Sequence, residues 1–305
     1  MSLVAGIGGQ MAAAAERVQG LDGRFLALAL ALQLSMLGFR ALAWRGVLAA
    51  AYPDERIPVF RLGCAYAAGV ALNAFLPARG GEGAKVALAR MQIPGSSVTT
   101  IAASLSVVLA LDTILGASLI GAFWALGLVP ALPSIPSVGV VPLVGGVVMA
   151  AAIAAALMSR RVAAAARRLL ASAARGVAVL RDPRLYARTV LPYQLAAWSC
   201  RIGVVYLVLH AFHIQAGLTT AALVVVLSGV STAVPVPGGA GSQQILAAYA
   251  LQGVASTAGA LSFSVGMQVG VTVVNTAVGL AAAMLLFRTL RPLAAMRTAS
   301  ARVAR

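Results

Sequence analysis

Charge is what this chain of 305 residues has least of. Asp, Glu, Lys and Arg make up 10% of it, where an ordinary soluble domain carries about 25%. That excludes a charged aqueous surface over most of its length. Acid is scarcest: seven Asp and Glu in all leave no carboxylate cluster for a metal and no neighbouring acid and base for group transfer. Two cysteines, Cys64 and Cys200, lie far apart without C-x-x-C spacing, so neither a disulfide framework nor a thiolate metal site is expected. The longest polar stretch runs only from Ser159 to about Arg188 and has no room for a soluble domain. Lysine occurs once, at Lys85, and Val86 follows it where a nucleotide-binding P-loop needs Ser or Thr.

Apolar sequence fills the rest. Hydrophobic residues are 61% of the chain and the mean hydropathy is +0.95, and a membrane helix needs roughly 20 mostly apolar residues. Such runs lie near 25 to 45, 57 to 77, 98 to 126, 138 to 158, 190 to 213, 217 to 235 and 257 to 287. The segments 80 to 92 and 240 to 255 are shorter, glycine-led and semi-polar, which suits half-helices buried among neighbours. The expected fold is therefore all-α: a polytopic transmembrane helical bundle of about seven full spans and two short or re-entrant half-helices, in a single transmembrane domain over 1–305. Charged residues among the first 24 make a cleaved signal peptide a poor reading, and 25 to 45 is read as a retained span.

The net charge of +16 suggests nucleic acid in a soluble protein, but here the arginines sit in loops, as the positive-inside rule expects. The segment 159–188 holds eight arginines and one acid, and the tail after Phe287 five arginines and no acid. Both are expected in the cytoplasm, with the amino terminus outside, in the plasma membrane. Arg160, Arg167, Arg168, Arg175 and Arg181 recur at near-heptad spacing, which predicts a basic amphipathic helix, ending at Pro183, on anionic lipid headgroups. Anionic membrane lipids are thus the expected partners, and nucleic acid is not.

Two stretches interrupt the apolar pattern. VPVPGGAGSQQILA at 234–247 aligns without gaps on LPARGGEGAKVALA at 76–89, an offset of 158 residues. The same offset carries 57–77 onto 217–235 and 98–126 onto the last span. Repeat units 25–128 and 190–287, joined by a connector span 138–158, would be inverted relative to one another, as in many transporters. Proline removes a backbone donor and glycines loosen the helix, so each stretch breaks a span and exposes N–H groups at the start of the next helix. With Asn73, Gly81, Arg79 and Lys85, the first break offers a phosphate an amide, a helix amino terminus and two cations. Glu82 shares their face and pairs the cations when no ligand is present. The second break offers neutral donors from Gly238, Gly239, Gly241 and Gln244. Asp112 and Arg201 are further buried ionisable groups, and pairing with one another would lower the cost of both. No catalytic residue, metal ligand or cofactor is expected.

The motif Asn73-x-x-Leu-Pro77-x-Arg79-x-Gly81-Glu82-x-x-Lys85, followed downstream by Pro235-x-Pro237-Gly238-Gly239-x-Gly241, resembles the transmembrane region of lysylphosphatidylglycerol synthases and their stand-alone flippase-like relatives. Arg40-x-x-x-Trp44-Arg45 is similar to an element that ends an early span in that family, and Asp112 stands where its members carry a buried aspartate. The resemblance implies a flippase-like protein that binds or translocates an anionic phospholipid or polyprenyl-phosphate. It implies substrate contacts at the residues of both breaks, at Asp112, and at Gln268, where relatives carry arginine. The chain departs from the family at Val108-Leu109, where a Glu-Arg pair is usual, and at Gln244, where glutamate is. Relatives have one more span before Arg40, and the synthase domain has no counterpart here, so a complete synthase is not expected. A membrane glycosyltransferase-like enzyme and a non-transporting partner subunit are the alternatives.

Overall fold

In a computed structural model the described residues, 20–74, 80–127, 174–231 and 242–287, contain helices and no strand. The first group comprises α1 (Gly23–Ala51), α2 (Val59–Leu72), α3 (Gly80–Arg90) and α4 (Val98–Ala125). A 3-10 turn (Ala178–Arg181) and the short α5 (Pro183–Thr189) lead into α6 (Leu191–Ala211), α7 (Leu218–Ser231), α8 (Ser242–Ala250) and α9 (Thr257–Phe287). Local chemistry sets the boundaries. Asp22 caps α1 by accepting from the Arg24 N–H, and Asp182 caps α5 by accepting from Arg184 and Leu185 N–H groups, which satisfies donors that a helix start leaves orphaned. The turns into α4 and α9 pass through Gly95 and Gly253 at φ +70° and +78°, a left-handed conformation that glycine adopts without a Cβ penalty.

Four of these helices, α1, α4, α6 and α9, are long and apolar enough to cross a membrane. The helices α2 and α7 have 14 residues each, about 21 Å at the helical rise, short of a hydrocarbon core about 30 Å thick. The run 57–77 thus gives a helix shorter than the full span expected, and the run 217–235 is described only to Ser231. After Leu72 the chain turns at Asn73 and Ala74, and the short helices α3 and α8 follow α2 and α7 in the chain. The connector span 138–158 and most of the basic segment lie outside the described residues. Where that segment is described, a turn at Val177 and the 3-10 turn interrupt it before Pro183.

Close contacts fix the directions of α1, α2, α3, α4 and α6. Asp22 N–H donates to Ala211 O and His213 meets Gly20 O, while at the other end Gly46 lies against Thr189 and Val190, so α1 and α6 are antiparallel along their length. Ser97 at the start of α4 donates its N–H to the Tyr52 hydroxyl just past α1. Antiparallel α2 and α3 form a hairpin, because Gly69 faces both Gly81 and Lys85, and Asn73 faces Gly81. Both open ends of that hairpin lie at the end of the bundle where α1 stops. The α9 helix packs along α2, with Gly279 against Ala67 and Ala71. The packing partners are reciprocal: α1 with α6, α2 with α9 and α7 with α4, α2 with α3 and α7 with α8, α3 with α4 and α8 with α9, α1 with α2 and α6 with α7.

A Cβ on Gly81 would collide with the Gly69 carbonyl and the Asn73 amide, whereas one on the exposed Gly83 meets nothing within 4 Å. Gly81→Ala should therefore lower the thermal stability of the purified protein by the about 1–3 kcal/mol typical of overpacking. Gly83→Ala should hold or raise it, since alanine is the better helix former. Equal melting temperatures for the two variants would contradict the close α2–α3 contact.

Candidate functional site: a charged layer at the bundle centre

Residues of α1, α2, α3, α4 and α6 meet halfway along the helices. Gly69 stands ten residues after Val59, so the α2–α3 contact at Lys85 is about 15 Å from the open end of the hairpin, half of a hydrocarbon core. Asp112 lies midway along α4 and Arg201 midway along α6. Charge at such depth is costly unless paired and usually marks a pathway or site.

Within the hairpin, Lys85 Nζ donates to both Glu82 carboxylate oxygens at 2.9 and 3.0 Å, and Asn73 Nδ2 donates to Glu82 Oε1 at 3.1 Å. The Lys85 side chain is 4% exposed and that of Glu82 25%, so the cation is sealed in and its carboxylate partner is the reachable member. The ammonium also stands 4.4 Å from the centroid of the Tyr66 ring, a cation–π contact of the kind that strengthens on desolvation. Because the Asn73 amide nitrogen must face a carboxylate, its Oδ1 is the other amide atom, and it is buried without a hydrogen-bond partner among the described residues.

The Tyr66 ring joins this cluster to a second one. Tyr66 packs on Trp44 at 6.1 Å between centroids, and Tyr66 and Glu82 lie within electrostatic reach of Arg40. Arg40 donates to Asp112 Oδ2 at 2.8 Å, and the Trp198 indole N–H donates to Asp112 Oδ1 at 3.2 Å. Arg201 stacks on the same indole, with Cζ 5.6 Å from the ring, and Arg40 and Asp112 are within its electrostatic reach. Polar side chains fasten the helices that carry these groups. Trp44 Nε1 donates to Ser104 Oγ, Gln33 Nε2 to Asn275 Oδ1, and Gln194 Nε2 to the Val108 carbonyl. Burial first, and then the negative charge of Asp112, push the Tyr186 phenol up, so it stays protonated and donates to Gln194 at 2.9 Å.

The pairing of Asp112 with Arg201 that would lower the cost of both is not the one formed. Asp112 takes Arg40, which reaches it from α1, and Arg201 is held through Trp198. Asn73, Gly81, Glu82 and Lys85 come together as expected. Gln268 is half-buried on α9 near Gly266, which receives the Phe212 ring. Arg79, Gly238, Gly239 and Gly241 lie outside the described residues, as does the side chain of Gln244. Arg40, Tyr66 and Trp198 were not expected in the site. Arg40 carried a signal, since a cation near the middle of a 29-residue apolar helix requires a partner.

A family model described as the lysylphosphatidylglycerol synthase TM region matches residues 3–279. The chain belongs to this family. No curated protein and no solved structure matches it. As a member of the lysylphosphatidylglycerol synthase transmembrane family, it carries three cations, Arg40, Lys85 and Arg201, against two anions, Glu82 and Asp112, in the central layer of its described residues.

Removing Arg40 alone leaves a buried carboxylate uncompensated, so Arg40→Ala should lose about 3–5 kcal/mol of stability. The double variant Arg40→Met with Asp112→Leu should recover most of it. Additive losses in a double-mutant cycle, measured by thermal denaturation in detergent, would contradict a direct pair.

Proposed function

We propose that the chain is a flippase-like membrane protein, in which the central charged layer binds a phosphate-bearing lipid headgroup and passes it between leaflets. The observation that carries this reading is the unbalanced layer: three cations and two carboxylates at the depth where an unmatched charge is most costly. Lys85 is held by a carboxylate that is itself more exposed. A phosphate can replace Glu82 at that ammonium, and Arg201, which has no carboxylate partner among the described residues, offers a second cation. An anionic phospholipid and a polyprenyl-phosphate share the chemistry this layer recognises.

Inverted repetition supports the same reading. Among the described residues long, short, short and long helices occur in that order twice, the packing partners exchange between halves, and the positive-φ glycines Gly95 and Gly253 repeat the 158-residue offset of the two breaks. Since α1 and α6 run oppositely, the halves are inverted copies that meet at the central layer, the arrangement in which alternating access works. Around the end where α1 stops, eight arginines stand against Asp54, Glu55 and Asp182, while Asp22 and Arg24 balance at the other. The positive-inside rule assigns the first end to the cytoplasm. The amino terminus is then outside and the carboxyl terminus inside, in the plasma membrane. Each carboxylate of the layer is engaged by a cation, which weighs against the glycosyltransferase-like alternative.

Native mass spectrometry of the purified protein tests the binding step. Lys85→Met should lose co-purified phosphate-bearing lipid by roughly tenfold, a difference of about 1.4 kcal/mol, and Glu82→Gln should gain it because no internal carboxylate competes. Equal retention by the wild type and a folded Lys85→Met variant would contradict the reading. A stoichiometric protein partner with no lipid would favour the partner-subunit alternative.

A further inference from the structure

A second site lies apart from the central layer, at the open end of the α2–α3 hairpin. A cavity of about 370 Å³ is bounded there by the first turns of α2, the residues just past α3 and the last turn of α9. Its polar wall is Arg61 and Gln92, its apolar wall includes Phe60, Met91 and Leu285, and Cys64 completes the lining. Among the described residues Arg61 makes no ion pair and no carboxylate lines the cavity. An unmatched cation without an acid beside it suits an anion and not a metal ion. Phe60 and Leu285 are 67% and 60% exposed, a burden in water that is natural where acyl chains run.

We infer that this cavity seats the headgroup of an anionic phospholipid from the leaflet at the arginine-rich end, with its phosphate on Arg61 and Gln92 and its chains along Phe60 and Leu285. A lipid is favoured over a free anion because the polar wall opens directly onto exposed apolar side chains on both flanking helices. Arg61 precedes Gly69 by eight residues, so the seat is about 12 Å along α2 from the central layer. It is a separate site and does not depend on the layer binding anything.

Cys64 supplies a reporter at the site. In the Cys200→Ala background it is the sole thiol, and its alkylation by a small neutral maleimide can be followed in nanodiscs of phosphatidylcholine with and without phosphatidylglycerol. Phosphatidylglycerol should slow the labelling several-fold, and Arg61→Gln should abolish the difference. Equal rates in the two lipids, or a slowing that survives Arg61→Gln, would overturn the assignment. If Cys64 resists alkylation in both lipids, native mass spectrometry in the Lys85→Met background decides. Phosphatidylglycerol retention that falls with Arg61→Gln supports the seat, and unchanged retention overturns it.

Discussion

The Arg40–Asp112 bond is the constraint on which the rest of the structure depends. Two full charges near the middle of long apolar helices are tolerable only when each neutralises the other and the remaining donors and acceptors find partners. That requirement brings α1 against α4. The second Asp112 oxygen then fixes Trp198, and with it the rotational setting of α6. Arg201 follows, because the indole that donates to Asp112 is the surface on which its guanidinium stacks. Trp44, fully buried between Tyr66 and Ser104, locks the same face of α1 one turn further on.

The short helices α2 and α3 bring the second charged pair to the same depth. A full span would carry Lys85 past the centre of the bundle, whereas a hairpin turning after Leu72 places it there. Gly69 and Gly81 bring α2 and α3 close together, since any Cβ at either position meets backbone or side chain of the other helix. Helix packing in a membrane lacks a hydrophobic drive between helices and relies on close approach at small residues and on interhelical hydrogen bonds. Gly279 against Ala67 and Ala71, and the Gln33–Asn275 bond, serve those two ends on α9. In the proposed role the more exposed Glu82 is the member of the pair that a phosphate meets first.

Much of this was legible in the sequence because composition and helix-breaking residues act locally. The scarcity of charge gave the membrane, the proline and glycine motif predicted the break before Gly80, and the three-residue spacing of Glu82 and Lys85 anticipated their ion pair. Helix length is not legible where apolar residues continue into the break: 57–77 reads as one run, yet α2 stops at Leu72. The partner of Asp112 was not legible, since Arg40 lies 72 positions away and Arg201 looked equally eligible. Only the antiparallel docking of α1 on α4 distinguishes them. Trp198 carried no signal of its own, as one tryptophan in an apolar helix is ordinary core until its N–H is seen to face a carboxylate.

The transfer of a fluorescent phosphatidylglycerol between leaflets of proteoliposomes, read by quenching of the outer leaflet, is the most direct measure of whether the charged layer moves a lipid headgroup. The wild type should equilibrate the leaflets faster than protein-free vesicles, and a folded Lys85→Met variant should return to the protein-free rate. Wild-type vesicles that match protein-free ones, or a Lys85→Met variant that transfers as fast as the wild type, would contradict a role for the layer in lipid translocation.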